Sequence, residues 1–163
     1  MTRIEAVVNG KKVTKTVDDN RLLVTFLRED LGLTGTHVGC DTTQCGACVV
    51  NIDGDTVKSC TSLAAGANGC SITTIEGVAH GERLHRVQEA FHRHHALQCG
   101  YCTPGLIITA IDIIEKAQGP LDEATVRQEL KGNLCRCTGY QNIVSAILDA
   151  AEKYAMSSVS KVA

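Results

Sequence analysis

The chain has no tryptophan, only two prolines and five aromatic residues, Phe26, Phe91, Tyr101, Tyr140 and Tyr154, among its 163 residues. So few rings exclude a stacking platform for single-stranded nucleic acid. Excess positive charge is also lacking: 16 Lys and Arg stand against 18 Asp and Glu, a formal charge of −2. That balance excludes a surface built to follow a phosphate backbone. Long hydrophobic runs are missing too. The longest, from Leu106 to Ile111, is broken by Thr109, far short of the ~18 residues that suggest a membrane span. No basic-then-apolar opening and no arginine pair occur, so no signal for export is expected. Hydrophobic residues still make up 44% of the chain, enough for a packed core rather than a disordered segment.

What is present in excess is cysteine. There are nine: Cys40, Cys45, Cys48, Cys60, Cys70, Cys99, Cys102, Cys135 and Cys137. An odd count fits complete disulfide pairing poorly. In a reducing compartment a cysteine-rich chain is more often a metal carrier than a disulfide scaffold. Eight of the nine fall into two groups of four, and Cys70 stands outside both.

The chain reads as α+β, with a change of character near Gly77. In residues 1–76, Ile4, Ala6 and Val8 alternate along a strand, and Asn9-Gly10 leads into a second strand over 12–17. Asn-Gly between alternating runs is a hairpin signal, because both turn positions need positive φ. Asp18, Asp19 and Asn20 offer caps for a helix over 21–31, with Leu22, Leu23, Phe26 and Leu27 on one face. Residues 34–46 read as loop. A second hairpin turns at Asp53-Gly54, and a last strand covers 71–75. Two hairpins and a helix crossing a mixed sheet predict a β-grasp domain. From Leu84 onward the period becomes helical. Leu84, Val87 and Phe91 line a first helix reaching His95. Pro104 opens a second, where its missing N–H costs nothing; it is apolar nearly all round, the mark of a buried helix. Asp122 caps a third, ended by Gly132, and a fourth runs over 140–154 with Ile143, Val144, Ile147, Leu148 and Ala151 inward. Residues 77–163 therefore predict a four-helix bundle, with 157–163 as a frayed tail.

Cys40, Cys45, Cys48 and Cys60 follow C-x4-C-x2-C-x11-C, the plant-type ferredoxin pattern for a [2Fe-2S] cluster, which takes two thiolates per iron. Gly39, Gly46 and Ala47 keep that loop small enough to wrap a compact cluster and aim amides at its sulfurs. Zinc also takes four thiolates but usually uses two short C-x2-C pairs. Cys99, Cys102, Cys135 and Cys137 form C-x2-C-x32-C-x-C, a less specific spacing that also suits a redox dithiol or half a zinc site. Both halves lie at turns before bundle helices, and antiparallel packing brings those turns to one end. The buried second helix predicts that this set lies deep, with the loop set nearer the surface.

Three stretches carry a resemblance: Gly39-Cys40-Asp41-Thr42-Thr43-Gln44-Cys45-Gly46-Ala47-Cys48, Gln98-Cys99-Gly100-Tyr101-Cys102-Thr103-Pro104-Gly105 and Gly132-Asn133-Leu134-Cys135-Arg136-Cys137-Thr138-Gly139-Tyr140. Together they resemble the iron–sulfur subunit of the molybdenum hydroxylases, the xanthine dehydrogenase and aldehyde oxidase family, over about residues 3–155. Leu33-Thr34-Gly35-Thr36-His37-Val38-Gly39-Cys40, Val57-Lys58-Ser59-Cys60-Thr61 and Gly139-Tyr140-Gln141-Asn142-Ile143-Val144 are most similar to its carbon monoxide dehydrogenase branch. The resemblance implies two [2Fe-2S] clusters. Cys40, Cys45, Cys48 and Cys60 would hold the one nearer a flavin subunit, and Cys99, Cys102, Cys135 and Cys137 the one nearer the molybdenum cofactor. It further implies that Gln98 and Cys137 touch the pterin. The partners it implies are a large molybdenum subunit and a medium FAD subunit, assembled as a dimer of heterotrimers in the cytoplasm, at the inner face of the membrane only through partners. This subunit would pass electrons and catalyse nothing itself. In the carbon monoxide branch the reaction served is CO + H2O to CO2 + 2 H+ + 2 e−; an aldehyde or an N-heterocycle is the alternative substrate within the family.

A free ferredoxin-type carrier is a reading of another class, but free carriers are usually strongly acidic and this chain is near neutral. A zinc-stapled binding module is a third. Among the remaining residues, Cys70 reads as a small half-buried hydrophobe. His92, His94 and His95 read as a solvated helix end rather than a metal tract. His37 would be a Rieske-type ligand only if cysteines were missing, and none is. Arg136 reads equally as a surface charge or a cofactor contact, and Gly132 and Gly139 as turn residues. No Ser/His/Asp set or carboxylate dyad points to catalysis by the chain itself.

Overall fold

The computed structural model describes the backbone of residues 1–159 and the side chains of residues 1–154. Strands β1 (Thr2–Val8) and β2 (Lys11–Val17) form the first hairpin. Val8 pairs with Lys11 across a two-residue turn. Asn9 and Gly10 supply φ of 50° and 76°, the left-handed pair that a type I′ turn requires. Asp53 and Gly54 do the same between β3 (Val49–Ile52) and β4 (Asp55–Lys58), with φ of 51° and 96°. With β5 (Ser71–Thr73) the five strands make one mixed sheet in the order β2-β1-β5-β3-β4. β1 and β5 are parallel and the other pairs antiparallel.

One face of this sheet buries Ile4, Ala6, Val8, Val17, Val50 and Ile72 against Leu23, Phe26 and Leu27. Full burial of side chains this size contributes about 1.5–3 kcal/mol each. The helix carrying the latter three departs from expectation. It begins as α1 (Leu23–Thr25) and continues as a π-helical segment, Phe26–Asp30. None of Asp18, Asp19 or Asn20 caps it: Leu22 holds the cap position without a side-chain bond. Asp19 instead accepts from the Met1 amine and the Thr2 hydroxyl. The first helical amides donate to main-chain carbonyls of the segment around Cys60, Leu23 to Ser62 at 2.7 Å and Val24 to Ser59 at 3.0 Å. A distant loop satisfies the orphan donors that a local cap would otherwise take.

The second half is helical: α2 (Arg86–Arg93), α3 (Thr103–Lys116), α4 (Glu123–Glu129) and α5 (Gln141–Val159). α2 starts two residues later than predicted. His85 caps it by accepting from the Val87 amide while Gln88 accepts from the His85 amide, and Leu84 is left exposed outside the helix. Pro104 sits in the first turn of α3, and the Asp122 carboxylate accepts from the Thr125 amide at 2.7 Å to cap α4. α5 continues five residues past its predicted end at Tyr154. The predicted tail thus overlaps its last turn at 157–159, and 160–163 lie outside the described residues.

Residues 105–110 of α3 are buried without a break, because α3 packs on α2 and α5 on one side and on β3 and β4 on the other. The apolar helix is therefore the wedge between the halves. Lys116 reinforces the seam by pairing with Asp55 at 2.9 Å and Asp112 at 2.7 Å.

Candidate metal centres

The first group of cysteines is gathered by the second hairpin and the long loop before it. Cys48 immediately precedes β3 and Cys60 follows β4 by two residues. The antiparallel register Val49↔Lys58 sets their chain segments side by side. Ser59 locks the pair, its amide and hydroxyl both donating to the Cys48 carbonyl, at 3.3 and 2.7 Å. Val24 of α1 is buried in one cluster with both cysteines. Burial pushes the Cys48 thiol up to about 11. Cys40 lies at the open side, and the Cys45 amide donates to its sulfur at 3.3 Å. That amide, with the amide of Thr42, holds the Cys40 thiol down at about 6, since donors aimed at a sulfur favour the thiolate.

The second group is gathered by two turns at one end of the helical half. Cys102 is the residue before α3, and Gly100, with φ of 82°, reverses the chain between Cys99 and Cys102. The Cys137 and Cys99 sulfurs are 3.6 Å apart. Burial, with the Cys135 thiol beside it, pushes Cys102 up to about 12. Cys135 moves the other way. Burial opposes its thiolate, but the Thr138 hydroxyl, donating at 3.1 Å, and the amides of Cys137 and Thr138 outweigh it. Tyr140, with φ of 67°, braces this turn. Its hydroxyl accepts from the Cys135 amide at 2.8 Å and donates to the Asn133 carbonyl at 3.1 Å.

All nine cysteines are free thiols. Eight of them lie beside a partner, Cys40 with Cys45, Cys48 with Cys60, Cys99 with Cys137 and Cys102 with Cys135, and Cys45 also acts on Cys48 and Cys99 on Cys102 across the pairs. Two sulfurs on one tetrahedral ion, with bonds of about 2.3 Å, stand about 3.8 Å apart, close to the 3.6 Å found for Cys99 and Cys137. Pairs of pairs fit a binuclear centre, with two thiolates for each iron. Cys70 keeps apart, with Asn68 and Asp53 as its neighbours.

The predicted depths are reversed within the chain. Cys48 and Cys60 are 1% and 3% exposed, whereas Cys99 and Cys137 are exposed. α3 is buried along its length, but the turn at its N-terminus emerges at the end of the helical half. Gln98 donates to the Cys137 carbonyl at 3.2 Å, so the two residues singled out for pterin contact lie together on the surface. Arg136 is exposed beside them. His92 is exposed, His94 pairs with Asp149 at 3.2 Å and His95, with φ of 50°, follows the end of α2. The three do not form a metal tract. The His37 ring lies on Tyr101.

The two groups touch. The Leu134 amide donates to the Cys45 carbonyl at 2.8 Å, and the buried Asn133 side chain donates to the Gly46 carbonyl at 3.3 Å while accepting from Thr109. A Cβ at Gly105 would strike the Gly46 carbonyl, and one at Gly46 would strike the Gly132 carbonyl. Glycine at both positions permits the close approach. Asn133, Tyr140, Tyr101 and His37 are the supporting residues that cysteine spacing did not reveal. Their only sequence signal is adjacency to the cysteine turns.

Comparison with known proteins agrees with this arrangement. Residues 6–74 match the 2Fe-2S iron-sulfur cluster binding domain, and residues 74–148 match a [2Fe-2S] binding domain. The chain is 48% identical over 147 residues to caffeine dehydrogenase subunit gamma of Pseudomonas sp. (strain CBB1), covering 88% of this chain and 87% of that one. It is 48% identical to the nicotine 6-hydroxylase small subunit of Paenarthrobacter nicotinovorans, covering 90% and 88%. The crystal structure of quinoline 2-oxidoreductase from Pseudomonas putida 86 superposes with a TM-score of 0.90 at 47% identity, over 95% of this chain and 96% of that one. This chain therefore carries two [2Fe-2S] binding domains in series. The chain belongs to the small iron–sulfur subunits of the molybdenum hydroxylases.

Proposed function

We propose that this chain relays electrons inside a molybdenum hydroxylase complex, from a large molybdenum-pterin subunit to a medium FAD subunit. Cys99, Cys102, Cys135 and Cys137 hold one [2Fe-2S] cluster in a helical domain, residues 77–163. Cys40, Cys45, Cys48 and Cys60 hold the other in a ferredoxin-like β-grasp domain, residues 1–76. The observation that carries this reading is the two-by-two pairing of eight thiols, with the two sets joined through the Leu134 amide and the Cys45 carbonyl. When bound, each cluster supplies a one-electron couple.

The chain's residues do the rest. Amides and the Thr138 hydroxyl stabilise the thiolates, Val24 packs with Cys48 and Cys60 in a buried cluster, and Gly46 and Gly105 let the two sets approach. Gln98 and Cys137 lie at the exposed end, flanked in sequence by Leu97 and Leu134, 41% and 62% exposed. Exposed apolar side chains beside polar groups of this kind suit a subunit interface, and this end is assigned to the molybdenum subunit. The open side at Cys40 and Cys45 is assigned to the flavin subunit. The complex is a cytoplasmic dimer of heterotrimers. No described helix is long and apolar enough to cross a membrane.

Substrate choice belongs to the large partner. The branch-level resemblance of residues 33–40, 57–61 and 139–144 supports oxidation of carbon monoxide. The relatives named for caffeine, nicotine and quinoline support a second reading, hydroxylation of an N-heterocycle. Isolation of the complex with its co-purifying chains, followed by dye reduction with carbon monoxide and with quinoline, separates the two. A chain that loads both clusters yet purifies as a free monomer overturns the relay reading in favour of a free carrier.

A further inference from the structure

The relay reading leaves one contact between the two cysteine groups without a role. Tyr101 stands between Cys99 and Cys102, yet its ring and its hydroxyl reach residues of the other half. Its ring stacks on His37, with centroids 4.5 Å apart and planes 19° from parallel. Its hydroxyl donates to the Val38 carbonyl at 2.9 Å. Its own carbonyl lies 2.8 Å from His37 Nδ1. A carbonyl only accepts, so that nitrogen carries a proton. His37 and Val38 lead directly into Gly39 and Cys40. Gly39 is a thin spacer: a Cβ there would lie 3.3 Å from Cys45 Sγ and 3.7 Å from Tyr101 Cε1.

We propose that Tyr101, gripped by His37 and Val38, is a positioning residue that fixes the separation and relative orientation of the two cluster sites. The proposal rests on the relay reading. The Leu134–Cys45 and Asn133–Gly46 hydrogen bonds tie residues 45–46 to residues 133–134. The ring pair and its two hydrogen bonds attach a different part of each loop, residues 37–38 against 101, and so fix the orientation of the turn that carries Cys99 and Cys102. Tyr101 is 49% exposed and belongs to neither hydrophobic core, so its place is not explained by core packing. Electron transfer between fixed centres depends on their geometry, and so does the magnetic interaction between them when both are reduced.

The test uses the full chain with its bound iron, reduced with dithionite and examined by electron paramagnetic resonance at low temperature. The unmodified chain should show splitting from interaction of the two reduced centres. Tyr101→Ala should lose or markedly change that splitting, while iron content and the principal g-values of each centre stay as they were. Tyr101→Phe keeps the stack and loses only the bond to Val38, so it should move the splitting in the same direction and by less. Combining Tyr101→Ala with His37→Ala should add less than His37→Ala changes alone, because the stack is already lost and only the bond from His37 Nδ1 to the main-chain carbonyl of residue 101 remains to be removed. Unchanged splitting in either single Tyr101 variant at full iron content overturns the proposal. Iron sufficient for only one centre in the unmodified chain, or two centres without interaction, overturns the relay reading on which it rests.

Discussion

The two cysteine sites are built from opposite materials. At the loop site a β-ladder aligns Cys48 with Cys60, Ser59 ties them, and Val24 seals them, so this half of the site is finished within the chain. At the helical site two turns do the work, and Cys99 and Cys137 remain in the open. The ladder gives depth because its strands belong to a core. The turns give reach because they sit at the end of helices whose buried faces point elsewhere. Half of one site is enclosed by its own fold, while the other site lies at an exposed end of the helical half.

Removing a ligand from each site should separate them most sharply. Cys102→Ser should abolish the centre at the helical site while the loop site keeps its own, leaving about half the iron; Cys45→Ser should do the converse. Loss of both centres in either variant, by iron analysis and resonance spectra, would show that the sites do not fold independently.

A smaller effect probes the seam between them. Gly46→Ala combines a φ of 72° with a clash against the Gly132 carbonyl and Asn133. It should cost about 1–3 kcal/mol and break the Leu134–Cys45 bond, read as lowered thermal stability and faster amide exchange at Leu134. Exchange at Leu134 as slow as in the unmodified chain would remove the close approach from the account.

Tyr140→Phe concerns the helical site alone. It withdraws the hydroxyl that joins the Cys135 amide to the Asn133 carbonyl, at an expected cost of about 0.5–1.5 kcal/mol. Iron should be lost from the helical site more readily than from the loop site when a chelator is added.

The smallest effect lies far from both sites. Arg93 first, then Lys153 and His94, hold the Asp149 carboxyl well below the usual carboxylate range. A depressed folded-state pKa stabilises the fold above the ordinary carboxylate value, and that contribution is lost as pH falls through the folded one. Asp149→Asn should therefore lower stability at neutral pH by about 0.5–1 kcal/mol and flatten its decline below about pH 4. Neither cluster should change, and a difference confined to acid pH would contradict the assignment.

Local chemistry explains which parts of this molecule were readable from sequence. Asn9-Gly10 and Asp53-Gly54 demand positive φ, Pro104 and Asp122 suit helix starts, and each carries its reason within a few residues. The grouping of eight cysteines was legible because their spacing carries a ligand pattern. The start of α1 was not, since its donors are satisfied by carbonyls from residues 59 and 62. Nor was the exposure of Cys99 and Cys137, because an apolar helix reports the burial of its length and not of its end. The stack of His37 on Tyr101 joins positions 64 residues apart and leaves no periodic trace.

The central claim is two binuclear centres held by four pairs of thiols. Iron, zinc and acid-labile sulfide measured on the same preparation of the full chain test it most directly. The account predicts about four irons and four sulfides per chain, with no zinc, and the same values for Cys70→Ser. About two irons per chain, or zinc in place of iron at either site, would contradict it.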